Sequence, residues 1–299
     1  MTTFTADGVK LGISSAGMII DLQNYYAIVY ITTLLYIPLG TKIEMKNKSA
    51  TKLVVLNGVF EKDHYYYTCV AEEQYDMLSV TTPPVQEQLT VKNLINKLGL
   101  KTVMKEDSNP TWWSLPSLSF KGVIAALNKW AEIPNGGATR FYMDFGGNIM
   151  WADLKLAYTQ SPVDLLGDVI SDNENIEWML QVPGSVKFVH SDNTVMENEE
   201  VVYNDKFCTS KVLICDHTTK AYELKKRAYS NEFNYRLYMS RQIVLDNVQS
   251  APHYIGQCVK INDTVQGVVS HITIPIQIND EDLRLKVKVS CQGLLEQRQ

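Results

Sequence analysis

Between Leu118 and Asp153 the hydrophobic period changes from that of a helix to that of a strand, and no other feature limits the local fold as closely. Phe120, Val123, Ile124, Leu127, Trp130 and Ala131 recur at helical spacing, so the opening segment has a single apolar face. Ser117 or Ser119 can accept an N–H that the first turn would otherwise leave without a partner. Pro134 and the run Asn135-Gly136-Gly137 end the helix. Phe141, Met143 and Phe145 then alternate with Tyr142 and Asp144. Gly146-Gly147-Asn148 supplies a tight turn, and Ile149 and Trp151 return. One amphipathic helix followed by a two-stranded hairpin is expected. A lone hairpin is marginal in water, so the unit must be mounted on its flanking segments.

The flanks are long enough to do this: 299 residues correspond to about two domains. A hydrophobic fraction of 45% is ordinary for a globular chain that buries a core. The net charge of −5 is mixed along the chain, with no basic stripe of the kind that neutralises phosphates, and this argues against a nucleic-acid reader. Cys69, Cys208, Cys215, Cys258 and Cys291 are sparse and unpatterned, as expected of buried free thiols in a reducing compartment. Met1-Thr2-Thr3-Phe4 does not read as the start of a signal peptide. Tyr25–Leu39 is apolar but shorter than the roughly 20 residues of a spanning helix. Its β-branched and tyrosine content predicts a buried strand, or two strands broken near Thr32-Thr33, and no membrane association.

Residues 1–88 read as a first β-barrel-like domain. Leu53–Phe60 is a strand candidate with a turn at Asn57-Gly58, His64–Ala71 follows a polar break, and Met77–Val80 is a shorter candidate. Pro83-Pro84 closes this domain. Residues 89–160 form a small α/β domain. Thr90 caps a helix whose face is Val91, Leu94, Ile95 and Leu98, and Gly99 ends it. Lys101–Pro116 reads as loop and carries Trp112-Trp113, which is either an exposed anchor or partly folded back on the two helices. Residues 161–299 read as a second β-rich, barrel-like domain. Pro162–Ile170 fits a short helix or a strand, and strands are expected at Ser185–His190, Val195–Tyr203, Lys206–Cys215, Tyr235–Leu245, Gln257–Ile261, Gly267–Ile278 and Leu283–Ser290. In the last of these, Leu283, Leu285, Val287 and Val289 alternate with charged or polar residues, the pattern of an edge strand protected by its lysines. Gln292–Gln299 reads as a loose tail. The fold class is α+β and β-dominated, two barrel-like domains linked by a helix-plus-hairpin unit.

No catalytic constellation emerges. His64, His190, His217, His253 and His271 form no metal-binding pair, and Cys208, Cys215 and His217 are too widely spaced for structural zinc. There is no nucleophile elbow, Walker loop or dinucleotide fingerprint. Glu72-Glu73 and Glu199-Glu200 read as solvated edges rather than a glycosidase pair. No catalytic residue, metal or cofactor is assigned.

The order of elements and two loose motifs carry a resemblance. Tyr142, Asp144, Gly147, Ile149 and Trp151 fit the helix-following hairpin Y-x-D-x-x-G-x-L/I-x-F/W, and Gly256, Val259, Ile261, Val265, Val268 and His271 fit a late β segment. Together they resemble the tail-hub proteins of phage baseplates, which are similar to the hub part of type VI secretion spike proteins. The resemblance implies a non-enzymatic virion protein that forms a homotrimeric ring. Its two barrel-like domains per chain would join a sixfold tail tube to a threefold spike or tip, beside a tape-measure protein. DNA would pass through the lumen unbound, and His271 would be a strand residue. Candidate contact residues are Trp112, Trp113, Leu283, Leu285, Val287 and Val289. Two other readings are a tail-associated cell-wall hydrolase, which predicts a cleft, and a receptor- or carbohydrate-binding β module, which predicts an aromatic platform.

Overall fold

The computed structural model describes residues 1–47, 49–104, 107–131, 133–134, 136–175, 185–190, 195–202, 210–215, 219–249, 252, 254–278 and 285–291. The first third contains β1 (Thr3–Ala6), β2 (Val9–Lys10), β3 (Ile13–Asp21), β4 (Ile28–Thr33), β5 (Lys42–Lys46), β6 (Ala50–Glu61), β7 (His64–Ala71) and α1 (Glu72–Leu78). The middle contains β8 (Val85–Leu89), α2 (Val91–Lys97), β9 (Lys101–Thr102), β10 (Thr111–Leu115), α3 (Phe120–Trp130), β11 (Thr139–Met143), β12 (Asn148–Asp153) and α4 (Leu154–Tyr158). The remainder contains β13 (Val163–Leu165), β14 (Asp168–Glu174), β15 (Ser185–His190), β16 (Val195–Val202), β17 (Ser210–Cys215), α5 (Thr219–Met239), β18 (Arg241–Asp246), β19 (Cys258–Ile261), β20 (Val265–Pro275) and β21 (Lys286–Cys291). The fold is α+β and dominated by strands.

One large sheet runs β14-β18-β21-β20-β3-β4-β7-β6-β5-β1-β2, with β13 and β19 branching from β20. There are three hydrophobic cores, two of them lined by strands of this sheet. The first β body is filled by Phe4, Val29, Ile31, Ile43, Leu53 and Tyr67. The middle unit packs Leu94, Ile95, Trp113, Phe120, Ile124 and Phe141. The second β body packs Leu245, Val259, Val268, Val287 and Val289 together with Tyr235 and Met239 of α5. The antiparallel pair β3–β20, His271 opposite Asp21 through Pro275 opposite Gly17, joins the two β bodies.

The helix-hairpin unit forms where the period changes. The Ser119 side chain accepts from Gly122 N to cap α3, and Thr90 accepts from Asn93 N to cap α2. Gly99 and Gly147 take positive φ values of 74° each, and the Asp144 carboxylate accepts from Asn148 N at 2.8 Å to close the hairpin. Both faces of β11 are covered: Phe141 and Met143 enter the middle core, and Tyr142 enters the second.

Several expectations are corrected. Asn57-Gly58 is no turn but lies beside a bulge inside β6, where the register shifts between Val55 and Asn57. Gly58 stands opposite Tyr67, and a Cβ there would lie 2.6 Å from the ring. The real turn is Lys62-Asp63, both at positive φ (49° and 63°), the geometry a two-residue hairpin needs. Met77–Val80 is not a strand. Glu72–Leu78 is helical, and the buried Gln74 fixes its start, accepting from Ala71 N and donating to Ala27 O. The loop-like 101–116 contains β9 and β10, and Trp112-Trp113 lies in β10, paired with β8. The open segment 162–170 is strand, parts of β13 and β14. Tyr235–Met239 belongs to α5, and the strand begins only at Arg241. β21 is no edge; it lies between β18 and β20. Cys208, His217, His253, Leu283 and the tail 292–299 lie outside the described residues.

Candidate functional site

β4 ends at Thr33, whose hydroxyl donates to Gly12 O at 2.6 Å and accepts from Leu35 N at 3.1 Å. The chain then leaves the sheet and exposes Leu34, Leu35, Tyr36 and Leu39 by 67, 47, 70 and 63%. Only Ile37 turns inward. Tyr67 holds this loop: its hydroxyl accepts from Ile37 N at 2.6 Å and donates to Leu35 O at 3.4 Å. The outer part of the β6–β7 hairpin lies alongside. Phe60 packs on Tyr65 with centroids 4.7 Å apart, Tyr36 meets Tyr65 edge-on at 5.7 Å, and Tyr65 stacks on Tyr67 at 5.9 Å. On the reverse face Val59 and Tyr66 are cross-strand partners, and both are exposed. The second β body also exposes Val163, Leu166, Val169 and Ile170, each about half accessible.

The residues nominated from sequence fall elsewhere. Trp113 is buried in the middle core and its Nε1 donates to Leu89 O at 3.0 Å, so it has folded back onto the helices. Trp112 is half-buried on the opposite side of β10. Val287 and Val289 are fully buried between neighbouring strands and have no surface to offer a partner, and Leu285 packs on the same core. The exposed loop lies inside the stretch expected to be buried strand. Its signal is an apolar run, Leu34-Leu35-Tyr36-Ile37, that outlasts the strand and breaks at Pro38 and Gly40 without alternating.

Polar clusters lie at the junction of the two β bodies and within the middle unit and the second body. At the junction His271 Nδ1 lies 2.8 Å from Asp21 Oδ2, and Nε2 lies 2.7 Å from Thr273 Oγ1. Burial would raise the Asp21 carboxyl, but hydrogen bonds from His271 and Gln23 N, with the charges of His271 and Lys288, hold it below the usual carboxylate range. In the middle unit Asp153 accepts from Gly137 N, Leu156 N and the Thr139 hydroxyl. Arg140 is buried against the Tyr235 ring, 3.4 Å from its centroid, with Glu232 as its ion-pair partner. On the second body Arg241 makes a two-pronged bond to Asp172 at 2.9 and 2.7 Å. A cavity of about 320 Å³, lined by residues that include Gln23, Tyr26, Thr68 and Lys121, contains none of Asp21, His271 or Thr273. Among the described residues no cluster of His, Cys, Asp or Glu could hold a metal ion, and no helix is long and apolar enough to cross a membrane.

The architecture matches solved tail proteins. The 43 kDa tail protein of prophage MuSo2 from Shewanella oneidensis aligns with a TM-score of 0.62 at 13% identity, over 96% of each chain. The tail protein from Neisseria meningitidis MC58 gives 0.61 at 11% identity, over 98% of this chain and 96% of that one. Prophage tail protein gp18 from Listeria monocytogenes EGD-e gives 0.56 at 7% identity, over 99% and 96%. No protein-family model and no curated protein matches the sequence. At such identities the likeness is one of fold: the chain has the architecture of phage tail proteins through both β bodies and the unit between them.

Proposed function

We propose that this chain is a structural component of a phage tail, and within it the hub of a baseplate or tip. The observation that carries the proposal is the fold shared with three tail proteins over at least 96% of this chain. As a hub, three copies close into a ring in which two β bodies per chain present six similar units. The ring joins the tail tube to a spike or tip and meets the tape-measure protein. DNA passes through the lumen, and the net charge of −5 keeps phosphate from adhering to it. A hub acts by contact and needs no chemistry of its own.

Native mass measurement of the purified protein, alone and mixed with its neighbouring tail proteins, tests this. A closed assembly of three copies that co-elutes with a tube or spike protein is expected. A persistent monomer that releases fragments from peptidoglycan overturns it. One observation favours that second reading: Asp21, His271 and Thr273 stand in the order carboxylate, imidazole, hydroxyl. Were the protein a hydrolase through this line of groups, Thr273→Val would abolish the release.

A further inference from the structure

We propose that the loop 34–39 and the outer β6–β7 hairpin of one copy dock on the β14 edge of the large sheet of a second copy, head to tail. This rests on the reading of the chain as a ring-forming hub. Tyr36 and Phe60 meet at Tyr65, and with Leu34, Leu35 and Leu39 of the same loop they expose roughly 600 Å², scaled from about 150–250 Å² for a large side chain. That reaches the top of the range for the largest patch on a typical monomer, about 300–600 Å². It also approaches the roughly 800 Å² that each partner contributes to a stable interface. The patch is already ordered, because the Tyr67 hydroxyl ties down the loop backbone on both sides of Tyr36. Docking it therefore costs little conformational entropy.

The chain also carries a surface suited to receive it. β14 ends the large sheet and pairs only with β18 among the described residues. Polar residues guard most of this seven-residue edge, and its exposed apolar side chains are confined to Val169 and Ile170, where a partner can cover them. The bulge between Val169 and Ser171 leaves Ile170 out of the ladder and half exposed, next to the half-exposed Val169. The two surfaces are unlike and lie on different β bodies. A twofold contact of the loop with itself would leave the β14 edge bare on both copies. A head-to-tail contact covers both surfaces and repeats until it closes a ring. A lipid bilayer fits the patch poorly. The hairpin end that would enter first carries Glu61, Lys62 and Asp63, all exposed.

Disulfide trapping tests the pairing, with the wild-type chain as the blank for its own thiols. Tyr36→Cys and Ile170→Cys proteins, mixed and oxidised, should give a cross-linked dimer that neither gives alone. The double variant should give a ladder ending at the ring size. In parallel, Phe60→Asp and Val169→Asp should each shift the concentration for half-assembly upward at least tenfold, with unchanged circular dichroism and thermal midpoint. A ring that survives both substitutions, or a cross-link formed by Tyr36→Cys alone, overturns the docking and leaves the hub reading intact. So does a ring that persists while only co-elution with another tail protein is lost. A wild-type chain that stays monomeric defeats both.

Discussion

Tyr67 shows how much one side chain settles. The run Tyr65-Tyr66-Tyr67 reads as strand, and alternation places Tyr65 and Tyr67 on one face and Tyr66 on the other, as observed. Which face is covered, and by what, is not written in the run. The ring of Tyr67 fits only because Gly58, its cross-strand partner, has no side chain, and its hydroxyl serves a loop thirty residues away in sequence. Tyr67→Phe keeps the ring and removes the acceptor for the Ile37 N–H. A buried donor left without a partner costs about 1–3 kcal/mol. The midpoint of urea unfolding should fall by that loss divided by the slope, with the slope itself unchanged. Faster hydrogen exchange confined to residues 35–39 would locate the effect. If the exchange instead rises across the whole first body, Tyr67 supports the core rather than the loop. The cysteines are easier to read. Cys69, Cys258 and Cys291 are buried and unpaired, and burial pushes the Cys69 and Cys291 thiols up to about 12, so sparse spacing alone signals inert thiols.

Among elements, α3 with its hairpin is legible because its apolar face, cap and turn agree, whereas α5 is not. From Lys225 to Met239 no described residue of α5 is exposed, and its many polar residues are spread around the helix rather than gathered on one side, so no 3.6 period is visible. Burial even alternates through Asn231, Phe233 and Tyr235, which imitates a strand and explains the expected β segment at Tyr235. The buried Asn231 reveals the purpose of the packing. Its side-chain amide donates to Lys129 O at 3.3 Å and Ala131 O at 2.9 Å, carbonyls at the end of α3 that have no helical partner of their own. A helix from the last third of the chain thus terminates one from the middle. Asn231→Leu fits a similar volume and removes both donors. A loss of about 1–3 kcal/mol is expected in chemical unfolding, larger than for Asn234→Leu, whose amide donates to Ser230 within α5. Equal losses at the two positions would mean that volume, not the bond to α3, governs the site.

At the scale of the molecule, the contiguous segments expected from sequence are crossed by the chain itself. Leu22, just after β3, packs into the core of the second β body, while Ile276 and Ile278, just after β20, pack against the first. Nothing in local pattern marks a strand that exchanges its ends between two cores, because each end is apolar in the ordinary way. The β3–β20 pair is therefore where the two bodies are held in register, and Asp21 and His271 stand directly opposite each other on it. With its carboxyl held below the usual carboxylate range, Asp21 binds a proton more weakly in the folded chain than in the unfolded one. Its contribution is then complete above the unfolded value of about 4 and disappears as pH falls through the folded value. A hydrogen bond to a charged group is worth about 1.5–3 kcal/mol. Asp21→Asn should cost that much at pH 7, and the gap between variant and wild type should close as the solution is acidified below pH 4. The loss should be read from the joint transition of both β bodies in calorimetry. If the gap stays constant down to pH 2, the carboxylate charge does not hold the junction, and the apolar exchange of Leu22, Ile276 and Ile278 must hold it unaided.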